Sequence, residues 1–196
     1  VSHGCIIDTD TLIPYCQMEN LKIDSSRIDG PPGGEPLNSV MGRNEDFEFL
    51  KYSQGAFSVL KELSMPAEMN SRMMYHLNDV LKSVTTSNLK KHACVETIVG
   101  PTLFVTRYEY VNFYYTLMDW WNTFFTKPPD ETVNLVFLDG HAEGLMDPIW
   151  SKVFGKIYFA KQLPEGGVCF DKAIFVPAGY ASQLWPRERV FQGKPC

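Results

Sequence analysis

The chain has 196 residues, of which 44% are hydrophobic and 13% aromatic, with a net charge of −5. A chain of that length buries roughly two-thirds or more of its unfolded surface in one domain, so it has no need of disulfide stapling. The acidic balance, with basic residues scattered at Lys90, Lys91, Arg107, Lys152, Lys156 and Lys161, excludes a nucleic-acid footprint, and no run reaches the ~20 apolar residues of a membrane span.

Residues 1–45 read as an irregular N-terminal arm, because Asp29-Gly30-Pro31-Pro32-Gly33-Gly34-Glu35-Pro36 fits no regular element. The helical spacing of Phe49, Ala56, Val59, Leu60 and Leu63 predicts a helix over 46–63. That of Met69, Met73, Leu77, Val80, Leu81 and Val84 predicts a second over 65–84, with Pro66 in its first turn, so residues 46–88 form a helical lead-in. These stripes read as core packing.

Pro101 to Thr106 is a β-branched and aromatic run that predicts a buried strand. The following segment reads as an amphipathic helix ending at Lys127-Pro128-Pro129-Asp130. One arc of it holds Asn112, Tyr115, Thr116, Asp119, Asn122 and Thr123, and the opposite arc is apolar. Asp119 is the single charge on the polar arc, where a solvated face would carry Lys and Glu, so that face is expected to contact something. Val133 to Leu138 predicts the next strand, then come a short helix over 148–154 and strands over 156–160 and 168–177. The fold class is α/β, with the sheet region over 101–180.

Strand, helix and strand in this order give parallel strands, whose ligands sit outside the carboxyl ends. That edge collects Arg107, Glu109, Asp139, His141 and Glu143. A carboxylate or imidazole there could take a proton from an attacking hydroxyl, so Asp139, Glu109 and His141 are the candidate bases, with Asp139 ahead. Arg107, Asn112, Asp119 and Glu143 are the candidates for positioning a substrate. Each also has a bland reading: Glu109 as a helix-end carboxylate, Asp139 as a turn former, Arg107 as the partner of Glu109. The five cysteines show no metal spacing, and Cys169 in an apolar run reads as a buried thiol; no metal site is expected. In a lumenal protein, a Cys5–Cys16 bridge and one using Cys94 or Cys169 become plausible. No strand is followed by GxGxxG, which argues against a dinucleotide fold.

The residues Thr106-Arg107-Tyr108-Glu109-Tyr110-x-Asn112, the helix ending Asp119-Trp120, Val136-Phe137-Leu138-Asp139-Gly140-His141 and Gly167-Val168-Cys169-Phe170 before Pro177-x-Gly179-Tyr180 resemble glycosyltransferase family 61. The turn at 139–141, Val40-Met41-Gly42-Arg43, Gln54-Gly55-Ala56-Phe57 and the Cys5 and Cys16 region are most similar to its plant β1,2-xylosyltransferase branch; the EGF-domain O-GlcNAc transferases share the first segment. The resemblance implies an inverting enzyme of two Rossmann-like halves (GT-B type), Golgi-lumenal and anchored as a type II membrane protein. It further implies a glycan or glycoprotein acceptor and UDP-xylose as donor. This chain, which starts without Met, would be the first, acceptor-side half, with residues 46–196 as its Rossmann-like domain. The donor half and the anchor would lie outside it, so the piece alone is expected not to turn over and to bind no cofactor. Tyr115 stands where the family usually places His. The rival reading is a glycan- or protein-binding module without chemistry.

Overall fold

The computed structural model describes residues 3–7, 14–64 and 75–179, with the pairs 190–191 and 194–195. Its centre is a single eight-stranded sheet. The strands are β1 (Gly4–Ile7), β2 (Pro14–Ile23), β5 (Phe57–Val59), β6 (Val84–Thr86), β7 (Glu96–Val105), β8 (Asn134–Phe137), β9 (Ile157–Phe159) and β10 (Val168–Phe175). The spatial order is β6-β5-β2-β10-β7-β8-β9, and β1 extends the β5 lane along the other end of β2. β10, β7, β8 and β9 pair in parallel, as do β5 and β6, while β2 is antiparallel to β1, β5 and β10. Seven strands therefore run one way and β2 alone runs the other. Two small ladders lie apart: β3 (Ile28–Asp29) with β4 (Lys51–Tyr52), and β11 (Val190–Phe191) with β12 (Lys194–Pro195).

Alternation along the strands splits the core between the two sheet faces. Phe104, Val136, Ala173 and Phe175 join Met18, Leu21, Ile23 and Phe57 on one face. Leu103, Val105, Leu135, Phe137 and Ile174 join Trp150 and Phe154 on the other. Helix α3 (Asp147–Val153), with Pro148 in its first turn, supplies Trp150. β10 carries a register shift between Phe170 and Lys172, where the Asp171 carboxylate accepts the Gly100 N–H at 3.1 Å.

Several expectations are corrected. The first forty-five residues are not an irregular arm throughout: β2 sits between β5 and β10, with Cys16, Met18, Leu21 and Ile23 fully buried. Residues 46–63 form no helix. A 3-10 turn (Glu45–Glu48) leads instead into β4 and β5, because Gly55 takes φ +83° and Phe57 and Val59 alternate inward at strand spacing. Helix α1 covers Tyr75–Ser83, after which β-branched Val84-Thr85-Thr86 pairs with β5. Met65, Pro66, Met69 and Met73 lie outside the described residues, as do Tyr180 and Cys196. β7 begins at Glu96 rather than Pro101, since the proline, which lacks a donor, sits at the irregularity opposite Lys172.

Helix α2 (Phe113–Thr126) is present, but its polarity is reversed from the usual arrangement. Thr116, Asp119, Asn122 and Thr123 face the protein, while Phe113, Leu117, Phe124 and Phe125 are exposed, Phe113 and Phe124 at 62%. The polar arc does contact something, and that something is the chain's own 177–179 segment: Asn122 Nδ2 donates to the Pro177 and Ala178 carbonyls at 3.0 and 2.9 Å.

Candidate active site

Because Val105 pairs with Phe137 at the carboxyl ends of two parallel neighbours, the residues two further on in each strand come together. These are Arg107 and Asp139. The Leu138 N–H continues the ladder to the Val105 carbonyl at 2.7 Å and locks that juxtaposition. Arg107 lies over the Phe137 ring, 4.2 Å from its centroid, with 1% of its surface exposed. Its guanidinium meets Asp139 through Nη2–Oδ1 at 2.7 Å and Nε–Oδ1 at 3.1 Å, and Asp147 through Nη1–Oδ2 at 3.0 Å. It also donates to the His141 and Ala142 carbonyls at 3.1 and 3.4 Å. Asp139 accepts the backbone N–H of Arg107 at 2.8 Å and of His141 at 3.2 Å. Burial pushes the Asp139 carboxyl up, but the Arg107 charge outweighs it and holds the group below the ordinary carboxylate range.

His141 is also fully buried. Its ring stacks on Tyr110 at 4.6 Å; Nδ1 meets Glu48 Oε2 at 2.7 Å and Nε2 meets the Arg107 carbonyl at 3.0 Å. Both ring nitrogens are thereby engaged. Glu48 bonds Arg43 with its other oxygen, and Arg43 reaches Glu35 at 2.9 Å. Burial raises the Glu48 carboxyl, while hydrogen bonds from His141 and Arg43 bring it below its ordinary value. The turn at 139–141 is clamped by backbone as well: Gly140 N–H donates to the Glu48 carbonyl at 2.7 Å and Gly34 N–H to that of His141 at 2.8 Å. A Cβ on Gly140 would come within 2.7 Å of the Pro31 carbonyl, so residue 140 has no room for a side chain.

Asp119 ties α2 to two loops, accepting the Gly179 N–H at 2.9 Å and the Tyr108 N–H at 3.4 Å. Burial raises its carboxyl to about 8, against the pull of those two N–H groups. Asn112 caps α2, its Oδ1 accepting the Tyr114 N–H at 3.0 Å and its Nδ2 donating to Glu109 Oε2 at 3.2 Å.

The seven candidates therefore separate by burial. Arg107, Asp119, Asp139 and His141 are buried, Glu109 is half-buried, and Asn112 and Glu143 are exposed. Every polar atom of the Asp139 and His141 side chains is bonded inside the protein, and both side chains are fully buried. Arg107 and Asp119 likewise bond the chain's own loops. The bland pairing of Arg107 with Glu109 is replaced by Asp139 and Asp147. Of the three base candidates, Glu109 alone reaches the surface.

The carboxylates of Glu48, Glu45 and Asp147 are absent from the sequence-level set. Glu48 lies 93 residues from His141 in the chain, and nothing local signals that contact. Glu45 is half-buried near the Glu109 carboxylate. Burial raises its carboxyl, His141 opposes that, and the neighbouring charges of Glu109, Glu48 and Asp46 add to it. Among the described residues no three His, Cys, Asp or Glu side chains converge to hold a metal ion, and no helix is long and apolar enough to cross a membrane. Disulfides join Cys5 to Cys16 and Cys94 to Cys169, which corrects the reading of Cys169 as a free thiol.

No protein-family model matches the chain. Curated proteins do: the β-1,2-xylosyltransferase of Arabidopsis thaliana is 30% identical over 204 residues, covering 87% of this chain. The chain is a relative of the plant β-1,2-xylosyltransferases. A second relative, the β-1,2-xylosyltransferase RCN11 of Oryza sativa subsp. japonica, is 31% identical over 185 residues, again covering 87% of this chain. The chain spans 38% and 34% of the lengths of these two relatives. The relationship extends over most of the described sheet, including the Arg107–Asp139 edge that the resemblance had singled out.

Proposed function

We propose that this chain is the acceptor-side part of an inverting β-1,2-xylosyltransferase that transfers xylose from UDP-xylose to the core mannose of N-glycans. The observation that carries the reading is the half-exposed Glu109 carboxylate, held on a loop whose neighbours Arg107 and Tyr110 are fixed by the buried network below it. A general base must be reachable by the hydroxyl it deprotonates while its support stays rigid. In the reaction the acceptor hydroxyl oxygen forms a bond to the anomeric carbon of xylose as the bond to the UDP oxygen breaks. The hydroxyl proton passes to Glu109, the electron pair leaves with UDP, and the configuration at the anomeric carbon inverts. Glu45 lies close by, its carboxyl raised by burial and further by the Glu109 charge. Phe113 and Tyr114, exposed in the first turn of α2, offer flat rings to the apolar face of a sugar.

UDP release belongs, in this reading, to a second Rossmann-like half of a GT-B enzyme, in keeping with the share of the relatives that this chain spans. The two disulfides suit an oxidising lumen such as the Golgi. The test is to assay the full-length protein with UDP-xylose and with UDP-N-acetylglucosamine on N-glycan acceptors, as wild type and as Glu109→Gln. Transfer of xylose that falls in Glu109→Gln supports the proposal. Transfer of N-acetylglucosamine alone, no transfer at all, or an unimpaired variant overturns it.

A further inference from the structure

The opposite edge of the sheet carries a separate feature. A groove of about 500 Å³ is walled by Lys22, Arg27, Ser58, Thr85, Ser87 and His92, together with Asp24. Lys22 lies across from Ser58 and from Cys169, and Cys169 lies across from Thr97 near the start of β7. Arg107 follows the far end of that strand, so at ~3.3 Å per residue the groove is ~30 Å from the candidate active site.

The lining is rich in donors. Lys22 Nζ gives one hydrogen to the Ala93 carbonyl at 2.9 Å and keeps two. Arg27 gives one from Nη1 to the Gln54 carbonyl at 3.1 Å and turns Nε toward Asp24 at 3.4 Å, which leaves the Nη2 hydrogens directed away from those partners. Two cations against one carboxylate make this wall positive on a chain whose net charge is −5. His92 lies in the same wall at 8% exposure, and its Nε2 is buried without a hydrogen-bond partner. The Ser58 and Asn20 carbonyls lie near enough to favour the charged ring, but burial and the Lys22 charge outweigh them and lower its proton affinity. The two cations and the His92 ring thus share one wall of the groove.

We propose that this groove is a binding site for an oxyanion, a phosphate or sulfate group on a polar ligand of about sugar size. Arg27 and Lys22 neutralise the anion, and the Ser58 and Ser87 hydroxyls donate to its oxygens. The groove volume falls in the usual range of small-molecule sites, roughly 300–1,000 Å³, and a guanidinium with free paired hydrogens matches an oxyanion better than a neutral sugar.

The test is an NMR titration of the chain with its histidine rings labelled, using inorganic phosphate, inorganic sulfate, glucose 6-phosphate and glucose as separate probes. A saturable shift of the His92 ring with an anionic probe, weakened about tenfold in Arg27→Met or Lys22→Met, supports the site. Tighter binding of glucose 6-phosphate than of phosphate identifies an ester as the ligand, whereas equal affinity identifies the free anion. Arg27 is largely exposed, so its substitution leaves the fold intact, as far-ultraviolet circular dichroism would verify. Three results overturn the proposal: no saturable shift above millimolar anion, unchanged affinity in both variants, or glucose binding as well as its phosphate. Glu109→Gln leaves this titration unaltered, so its outcome is separate from that of the xylosyltransferase assay.

Discussion

Replacing Asp139 with Asn separates a scaffold carboxylate from a catalytic one. The substitution keeps the volume and removes the charge. Oδ1 accepts from Arg107 Nη2 and Nε and from the His141 N–H, while Oδ2 accepts from the Arg107 N–H. Whichever oxygen becomes the amide NH₂, a donor then faces a donor. Arg107 keeps Asp147 as its remaining ionic partner, at 3.0 Å and with 11% of that side chain exposed. Breaking a buried pair from one side costs about 3–5 kcal/mol, and the lost charge-assisted bonds at ~1.5–3 kcal/mol each bring the sum to the same range. With a urea m-value on the order of 2 kcal/mol/M, the unfolding midpoint falls by roughly 2 M. Urea unfolding followed by circular dichroism reads this directly. A midpoint within about 0.3 M of wild type, less than ~1 kcal/mol at that m-value, would refute the scaffold assignment, and with activity lost it would restore Asp139 as the base.

Glu109→Gln should leave the urea midpoint unchanged and lower kcat/KM of the full-length enzyme by about 10²–10⁴, checked by initial-rate assays. Asp119 gives a pH signature. Its folded value near 8 lies above its unfolded one, so its contribution is fully present in acid and is lost as pH rises from about 4 through about 8. The stability of Asp119→Asn relative to wild type should therefore climb over that window, and denaturant titrations at pH 5 and pH 9 giving the same difference would contradict it. Removing the Cys94–Cys169 bridge with a double serine variant reopens a loop of 75 residues and should cost about 2–5 kcal/mol, measurable as a lowered Tm by calorimetry.

The strand-helix-strand unit was legible because each piece has one dominant period, so β7, α2 and β8 follow from local pattern and their parallel pairing brings Arg107 to Asp139. What local pattern cannot carry is partnership across the chain. β2 looked irregular because its neighbours are β5 and β10, and because Asn20, at φ +52°, breaks the inward alternation between Met18 and Leu21. Residues 46–63 matched a helix because Phe49, Ala56, Val59 and Leu63 also fit that spacing, and Gly55 alone signalled the turn. For the site, the edge was found but its polarity was reversed. Asp139 and His141 drew attention as chemistry-bearing side chains, yet Glu48, Asp147 and Arg107 absorb their bonding capacity. Glu45 joins Glu109 only through the packing of the first 50 residues, which no single stretch reveals. Burial divides the seven candidates into buried and surface groups, a division that local pattern does not carry.

The reversed strand β2 sets a timetable for folding. Its partners Val168 to Phe175 are synthesised long after it, roughly 150 residues later, which at about 5–20 residues per second leaves it without that neighbour for about 7–30 seconds. Pairing across so long a loop is slow in any case. The Cys5–Cys16 bridge can form at once, holding β1 against β2 as a stapled hairpin while the rest of the chain emerges. Early oxidation then covers one edge of β2 while its β10 neighbour is still missing, and yield from a reducing host should suffer for lack of it.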